Sequence, residues 1–101
     1  MKSIETLPLH DAILNTINID WENRSVIFNL NVFTVKGGDA LSHQLTFENA
    51  SNIEVPHNSP WGDSILINGV SIIEDNYEIE IQSGDVIKIT AEKYSFSPVA
   101  S

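Results

Sequence analysis

The stretch Ser25–Val32, with the sequence SVIFNLNV, decides the fold of this chain. Its even positions are Val, Phe, Leu and Val, and the odd positions between them include Asn29 and Asn31. Successive side chains of a strand point to opposite faces of a sheet. This period of two therefore predicts a strand with one buried face and one exposed face.

The preceding stretch has the same alternation, with apolar residues at the odd positions from Ile17 to Trp21. A two-residue turn at Asn23-Arg24 would pair Trp21 with Val26 and bring the two apolar faces together, because Asn tolerates the positive φ of such turns. We therefore predict a hairpin in that register. The parity breaks at Phe33 and Val35, which predicts a bulge or a twist near Val32.

Further strands are predicted downstream of a turn at Lys36–Asp39. They are Leu41–Phe47, Ile53–Val55, Ile65–Asn68, Tyr77–Gln82, Ile87–Glu92 and a last strand that starts at Tyr94. A three-residue turn around Gly84 would join two of them and place Lys88 opposite Glu78 or Glu80. No stretch keeps a helical period. Seven or eight short strands predict an all-β, antiparallel single domain over residues 1–101, either a sandwich or an open barrel.

Parity also selects a core. The predicted core residues are Ile17, Ile19, Val26, Phe28, Leu30, Leu45, Phe47, Ile65, Ile67, Ile79, Ile81, Ile87 and Ile89.

Composition excludes several classes of protein. The chain has no Cys, so disulfides and thiol catalysis are excluded. No apolar run approaches the roughly 20 residues of a membrane helix. The first residues lack the apolar segment of a secretory signal, so we expect a cytoplasmic protein without membrane contact.

The charge is unevenly distributed. Asp and Glu total 14 against 5 Lys and Arg, and residues 37–87 contain nine acids and no Lys or Arg. Direct binding to nucleic acid is not expected, because phosphates need cationic partners. A basic partner, either a protein or a cation, is favoured electrostatically. For a basic partner protein, Glu78 and Glu80 are candidate contacts. An immunity-type inhibitor of a toxin would be one such protein. The composition alone is also compatible with an acidic surface that serves only solubility.

The loop Pro56–Ser64, with the sequence PHNSPWGDS, contains the main candidate binding residues. A large apolar ring is costly to leave in water. We expect Trp61 to pack as a plug against the edge of the sandwich, with Gly62 reversing the chain and Asp63 or Ser64 bonding loop amides. As an exposed residue, Trp61 would instead be an anchor for a partner.

Two alternatives use the same loop. In a small-ligand or carbohydrate-binding module, Trp61 would be the stacking platform, with His57, Asn58 and Asp63 as polar contacts. A small hydrolase, built from His57, Asp63 and a nearby serine, ranks third because no nucleophile motif accompanies these residues. We therefore expect a non-enzymatic protein with no catalytic residues and no cofactor. The histidine spacings carry no metal signature, so no metal is expected.

Three motifs resemble a family of small uncharacterised bacterial all-β proteins. They are Leu9-His10-Asp11-Ala12, Pro60-Trp61-Gly62-Asp63-Ser64 and Ile81-Gln82-Ser83-Gly84-Asp85. The resemblance implies one compact domain and carries no activity with it. In size, charge and strand pattern the chain is also similar to small acidic immunity proteins of bacterial toxin systems.

Overall fold

The fold is built entirely from strands. A computed structural model describes Ile4, Leu7–Phe33 and Gly37–Val99, and no α-helix occurs in these ranges. The eight strands are β1 Ile13–Asp20, β2 Ser25–Val32, β3 Leu41–Glu48, β4 Asn52–Glu54, β5 Ile67–Ile73, β6 Asn76–Ile81, β7 Val86–Thr90 and β8 Lys93–Pro98. The predicted all-β class is confirmed. The predicted turn at Lys36–Asp39 begins outside the described residues.

The strands form two antiparallel sheets of four. The first sheet has the order β1-β2-β3-β8 and the second has the order β4-β7-β6-β5. The sheets do not close into a barrel, so the architecture is a sandwich. Along one side the two sheets are joined by backbone bonds, because the Ile67 amide donates to the Ala12 carbonyl and the Leu14 amide donates to the Ile65 carbonyl, at 2.9 and 2.8 Å.

Aromatic rings join the inner faces. The Phe47 ring of β3 lies 5.6 Å from the Phe28 ring of β2 and 4.9 Å from the Tyr77 ring of β6, which belongs to the opposite sheet. Around these rings lie the predicted core residues that are confirmed as buried. They are Val26, Phe28, Leu30, Leu45, Phe47, Ile67, Ile79, Ile81, Ile87 and Ile89. His43, in phase with them, is 8% exposed and stacks on Phe96.

Three predicted core residues lie elsewhere. Ile19 is 50% exposed and Ile65 is 61% exposed, while Ile17 is only partly buried against the core. Ile19 lies near the open end of the edge strand β1. Ile65 lies in the segment before β5. Its carbonyl accepts a bond from the Leu14 amide, while its side chain remains outside the core. Residues ahead of β1 supply additional core instead, since Leu9 and Ala12 are buried.

The predicted register of the first hairpin is wrong. Ile19 pairs with Val26, so the turn contains four residues, from Trp21 to Arg24. The Asp20 carboxylate stabilises this turn by accepting bonds from the Asn23 amide at 3.1 Å and the Asn23 side chain at 2.8 Å. The positive φ falls on Arg24 rather than on Asn23. Trp21 consequently lies outside the ladder and is 88% exposed.

The predicted bulge near Val32 is not found in the ladder between β2 and β3, where the register is continuous from Val26 to Val32. The irregularity lies on β1 instead, between Leu14 and Thr16. Val35, on which the prediction also rested, lies outside the described residues.

Of the two turns predicted in the second sheet, one is confirmed and one is wrong. The Ile81 amide donates to the Asp85 carbonyl at 2.8 Å, which leaves a three-residue turn of residues 82–84 between the paired strands. Lys88 pairs with Glu78, as one of the predicted alternatives requires. The chain does not end a strand at Asn68-Gly69. Instead, β5 runs through these residues to Ile73 with a register shift between Ile67 and Gly69, because a bulge absorbs the extra residue.

Replacement of the Phe47 ring tests the packing between the sheets. We expect Phe47→Ala to lower the free energy of unfolding by about 3–5 kcal/mol, because it leaves a cavity between two aromatic neighbours. Urea denaturation measures this change. Leu41→Ala, on the same strand but half-exposed, is the control and should cost much less. Equal losses for the two variants would contradict the proposed packing.

Candidate functional site

The loop that carries Trp61 lies over the turn between β6 and β7. The Trp61 amide donates to the Ser83 carbonyl at 2.8 Å. Its ring lies against Gly84, since a Cβ placed on that glycine would be 2.8 Å from Pro60 Cγ and 2.8 Å from Trp61 Cδ2. Gly84 also has a φ of +97°, in the region that favours glycine. Two independent constraints therefore require glycine beneath the ring.

Asp85 anchors the same loop. Its carboxylate accepts hydrogen bonds from the Asn58 amide at 2.7 Å, the Ser59 amide at 2.8 Å and the Ser83 hydroxyl at 2.7 Å. The side chain is nearly inaccessible, with Asp85 5% exposed. A buried carboxylate with three donors satisfies loop amides that would otherwise lack partners.

The same contacts change the acidity of Asp85. The Asn58 amide, together with the Ser83 hydroxyl and the Ser59 amide, holds the pKa of Asp85 below its ordinary value, although burial acts in the opposite direction. The nearby His57 contributes in the same direction as the amides. Asp85 is therefore ionised at neutral pH, and the anchor is intact there.

Trp61 is not the plug that the sequence predicted. It is 73% exposed, because only part of its ring contacts the turn at Gly84 and the rest faces solvent. The predicted chain reversal is found, with Gly62 at a φ of +115° and its amide bonded to the Ser59 carbonyl at 3.0 Å. Ser64 accepts a bond from the Leu66 amide at 3.1 Å, as predicted, whereas Asp85 takes the part foreseen for Asp63.

The remaining candidates occupy two places. His57 and Asn58 lie on the Trp61 loop, beside Asp85. Glu78 and Glu80 lie on β6 and face away from the core, and Glu80 accepts a bond from the Asn68 side chain at 2.6 Å. The Trp61 loop and the outward positions of β6 are therefore separate features, and the loop covers the turn that follows β6.

The three motifs of the sequence meet at one end of the molecule. The Gln82 side chain donates to Asp11 at 2.6 Å, and the His10 ring donates through Nδ1 to the Asn68 carbonyl at 2.6 Å. The third motif joins the other two through the bond from Trp61 to Ser83 described above. Hydrogen bonds therefore connect all three motifs at that end of the molecule.

Other arrangements considered from the sequence are not assembled. Over the described residues, no hydrogen bond connects His57 to Ser59, Ser64 or Asp63. Within the same ranges no group of three His, Cys, Asp or Glu side chains is placed to hold a metal ion. The part of the chain that the structure describes also contains no helix long and apolar enough to cross a membrane.

Sequence reasoning missed two features. One is the anchoring role of Asp85, which depends on a long-range contact with the loop. The other is a groove of about 490 Å³ beside Trp21, lined on its walls by Ile19 and Ile53. The spacing of Asp20 and Asn23 could have revealed the four-residue turn that exposes Trp21, since Asp side chains commonly bond backbone amides a few residues ahead.

Comparison with known proteins supports the fold. The chain is similar to the crystal structure of an uncharacterised protein from Neisseria gonorrhoeae, with a TM-score of 0.59 and 21% sequence identity over 89% of this chain and 93% of the other. No family model matches the chain, and no curated protein matches it. The similarity establishes a shared fold and carries no function with it.

The glycine beneath Trp61 can be tested against a second glycine. We expect Gly84→Ala to destabilise the protein by about 1–3 kcal/mol, because alanine resists a positive φ and its Cβ would collide with the ring. Gly69→Ala is the matched control, since Gly69 lacks a positive φ and has no atom within 4 Å of the added Cβ. Denaturation curves that coincide for the two variants would contradict the packing of Trp61 on Gly84.

The Asp85 anchor predicts a pH dependence. Because the folded-state pKa is lowered, Asp85 contributes stability above the ordinary Asp pKa of about 3.9, and this contribution is lost as the pH falls through the folded value. Asp85→Asn should lower the urea midpoint at pH 7, and its difference from wild type should narrow at pH 3. Asp63→Asn is the control. A difference that does not change with pH would contradict ionised Asp85 as the anchor.

Proposed function

We propose that this protein is a non-enzymatic binding protein that recognises a basic partner protein. The acidic outer face of the second sheet would attract the partner, and Trp61 would be the central contact. An immunity-type inhibitor of a toxin would be one protein of this kind.

The observation that supports this proposal is the separation of charge between the two sheets. On the outer face of the second sheet, Glu54 and Glu78 flank Lys88 on neighbouring strands, and Glu80 follows along β6. The tip that connects β5 to β6 adds Glu74 and Asp75. The outer face of the first sheet differs: apart from Asp20 and the ion pair of Glu48 with Lys93, at one end, its strand positions are uncharged.

Trp61 suits the part of an anchor because its loop is fixed in place. The bonds from Asn58 and Ser59 to Asp85 order the loop before any partner arrives. A preordered aromatic side chain loses little entropy on binding, and exposed Trp residues are enriched among the contacts that dominate interface energies. The acidic face begins nearby, because β6 leads from Glu80 into the turn that Trp61 covers.

The test uses the immobilised protein and a lysate of its own source cells at low salt. A captured basic protein is identified, purified and titrated against defined variants. We expect Trp61→Ala to weaken binding at least roughly 30-fold, which corresponds to about 2 kcal/mol, with a nearly unchanged melting temperature. We expect the double variant Glu78→Gln/Glu80→Gln to slow association and to flatten the salt dependence.

Gln44→Ala, at an uncharged position on the outer face of the first sheet, is the matched control and should bind like wild type. Binding that does not weaken with salt, or that survives both sets of substitutions, would contradict the proposal. A captured small molecule or glycan that depends on Trp61 would favour the ligand-binding alternative.

A further inference from the structure

We propose that the groove beside Trp21 is a second binding site and that its ligand is a neutral oligosaccharide. This site lies between the turn that joins β1 to β2 and residues 50–53, which lead into β4 of the second sheet. It uses none of the residues of the acidic face or of the Trp61 loop, so it stands independently of the proposed partner protein.

The groove has the size and the surface of a ligand site. Its volume of about 490 Å³ falls within the range of roughly 300–1,000 Å³ usual for such pockets. Trp21 is 88% exposed at its rim, and Ile19 and Ile53 form apolar walls. A ring exposed to this degree offers a flat apolar face on which the C–H face of a sugar can stack.

The polar groups of the groove indicate a neutral ligand. Asp20 and Arg24 both line it, and they are the only charged residues among its lining side chains, so their charges cancel. Side-chain and backbone bonds from Asn23 lower the pKa of Asp20, which keeps this carboxylate ionised and able to accept bonds. Arg24 and Asn52 supply donors. Paired acceptors and donors beside an aromatic platform match the hydroxyl groups of a saccharide.

A groove lined by equal numbers of positive and negative side chains is unusual for this chain, whose net charge is −9. The Asp20 carboxylate would repel an anionic ligand, and the Arg24 guanidinium would repel a cationic ligand. A ligand with many hydroxyl groups and no charge can form hydrogen bonds with both side chains and is repelled by neither.

The outer face of the first sheet, next to the groove, also carries uncharged side chains that form hydrogen bonds. Asp20 continues the row of outward positions formed by Thr16 and Asn18 on β1. Across this face Asn29 donates to Thr16 at 2.8 Å, and Gln44 donates to Asn29 at 3.0 Å. A row of amides and hydroxyls gives an extended chain of sugars further uncharged partners beyond the groove.

The test uses purified wild-type protein and three soluble neutral probes: cellohexaose, maltohexaose and chitohexaose. The chain contains two tryptophans, so two indole N–H signals are expected in a nitrogen–proton correlation spectrum. With at least one probe we expect the Trp21 signal to shift in a saturable way while the Trp61 signal stays in place. Trp21→Ala should weaken that binding at least tenfold by calorimetry and leave the melting temperature nearly unchanged.

Trp61→Ala is the matched control and should retain saccharide binding. Three outcomes would overturn the proposal: no shift with any neutral probe at millimolar concentration, binding that persists in Trp21→Ala, or binding confined to a charged polymer such as polygalacturonate. A shift of the Trp61 signal alone would assign the saccharide to the other loop and would also overturn it. None of these outcomes bears on the basic partner protein, because that test depends on different residues.

Discussion

Packing of the Phe47 ring against the Tyr77 ring joins the two sheets, and the rest of the molecule depends on it. The strands can bury their apolar positions only against the opposite sheet, so each strand is committed to one orientation. The outward positions then take no part in the core. This division allows one outer face to accumulate carboxylates and the other to carry amides and hydroxyls without cost to the fold.

Asp85 orders the Trp61 loop, a segment that buries few apolar side chains. A long polar loop ordinarily moves, because few apolar contacts hold it. Here one carboxylate accepts two loop amides, and the ring of Trp61 covers a glycine that no other residue could replace without strain. The order of the loop is therefore electrostatic and steric rather than hydrophobic. This explains how Trp61 can be both positioned and exposed.

The fold could be predicted from the sequence because alternation is a local signal, and Ser25–Val32 shows it clearly. The register of the first hairpin could not, since parity allows both a two-residue and a four-residue turn. The choice depends on the bonds between Asp20 and Asn23. The position of Trp61 depends on contacts with residues more than twenty positions away, including Gly84, and no local pattern encodes them. Glu78 and Glu80 alternate with buried residues along β6, so strand parity suffices to predict that they face outward.

The two exposed tryptophans lie at turns that are stabilised in the same way. Each follows or adjoins a turn in which a carboxylate accepts backbone amides, with Asp20 beside Trp21 and Asp85 beneath the Trp61 loop. In both cases these bonds lower the pKa of the carboxylate below its ordinary value. Exposed Trp residues are enriched among the contacts that dominate interface energies. The fold thus fixes two exposed rings at separate turns, one near the acidic outer face of the second sheet and one at the rim of a groove whose lining charges balance.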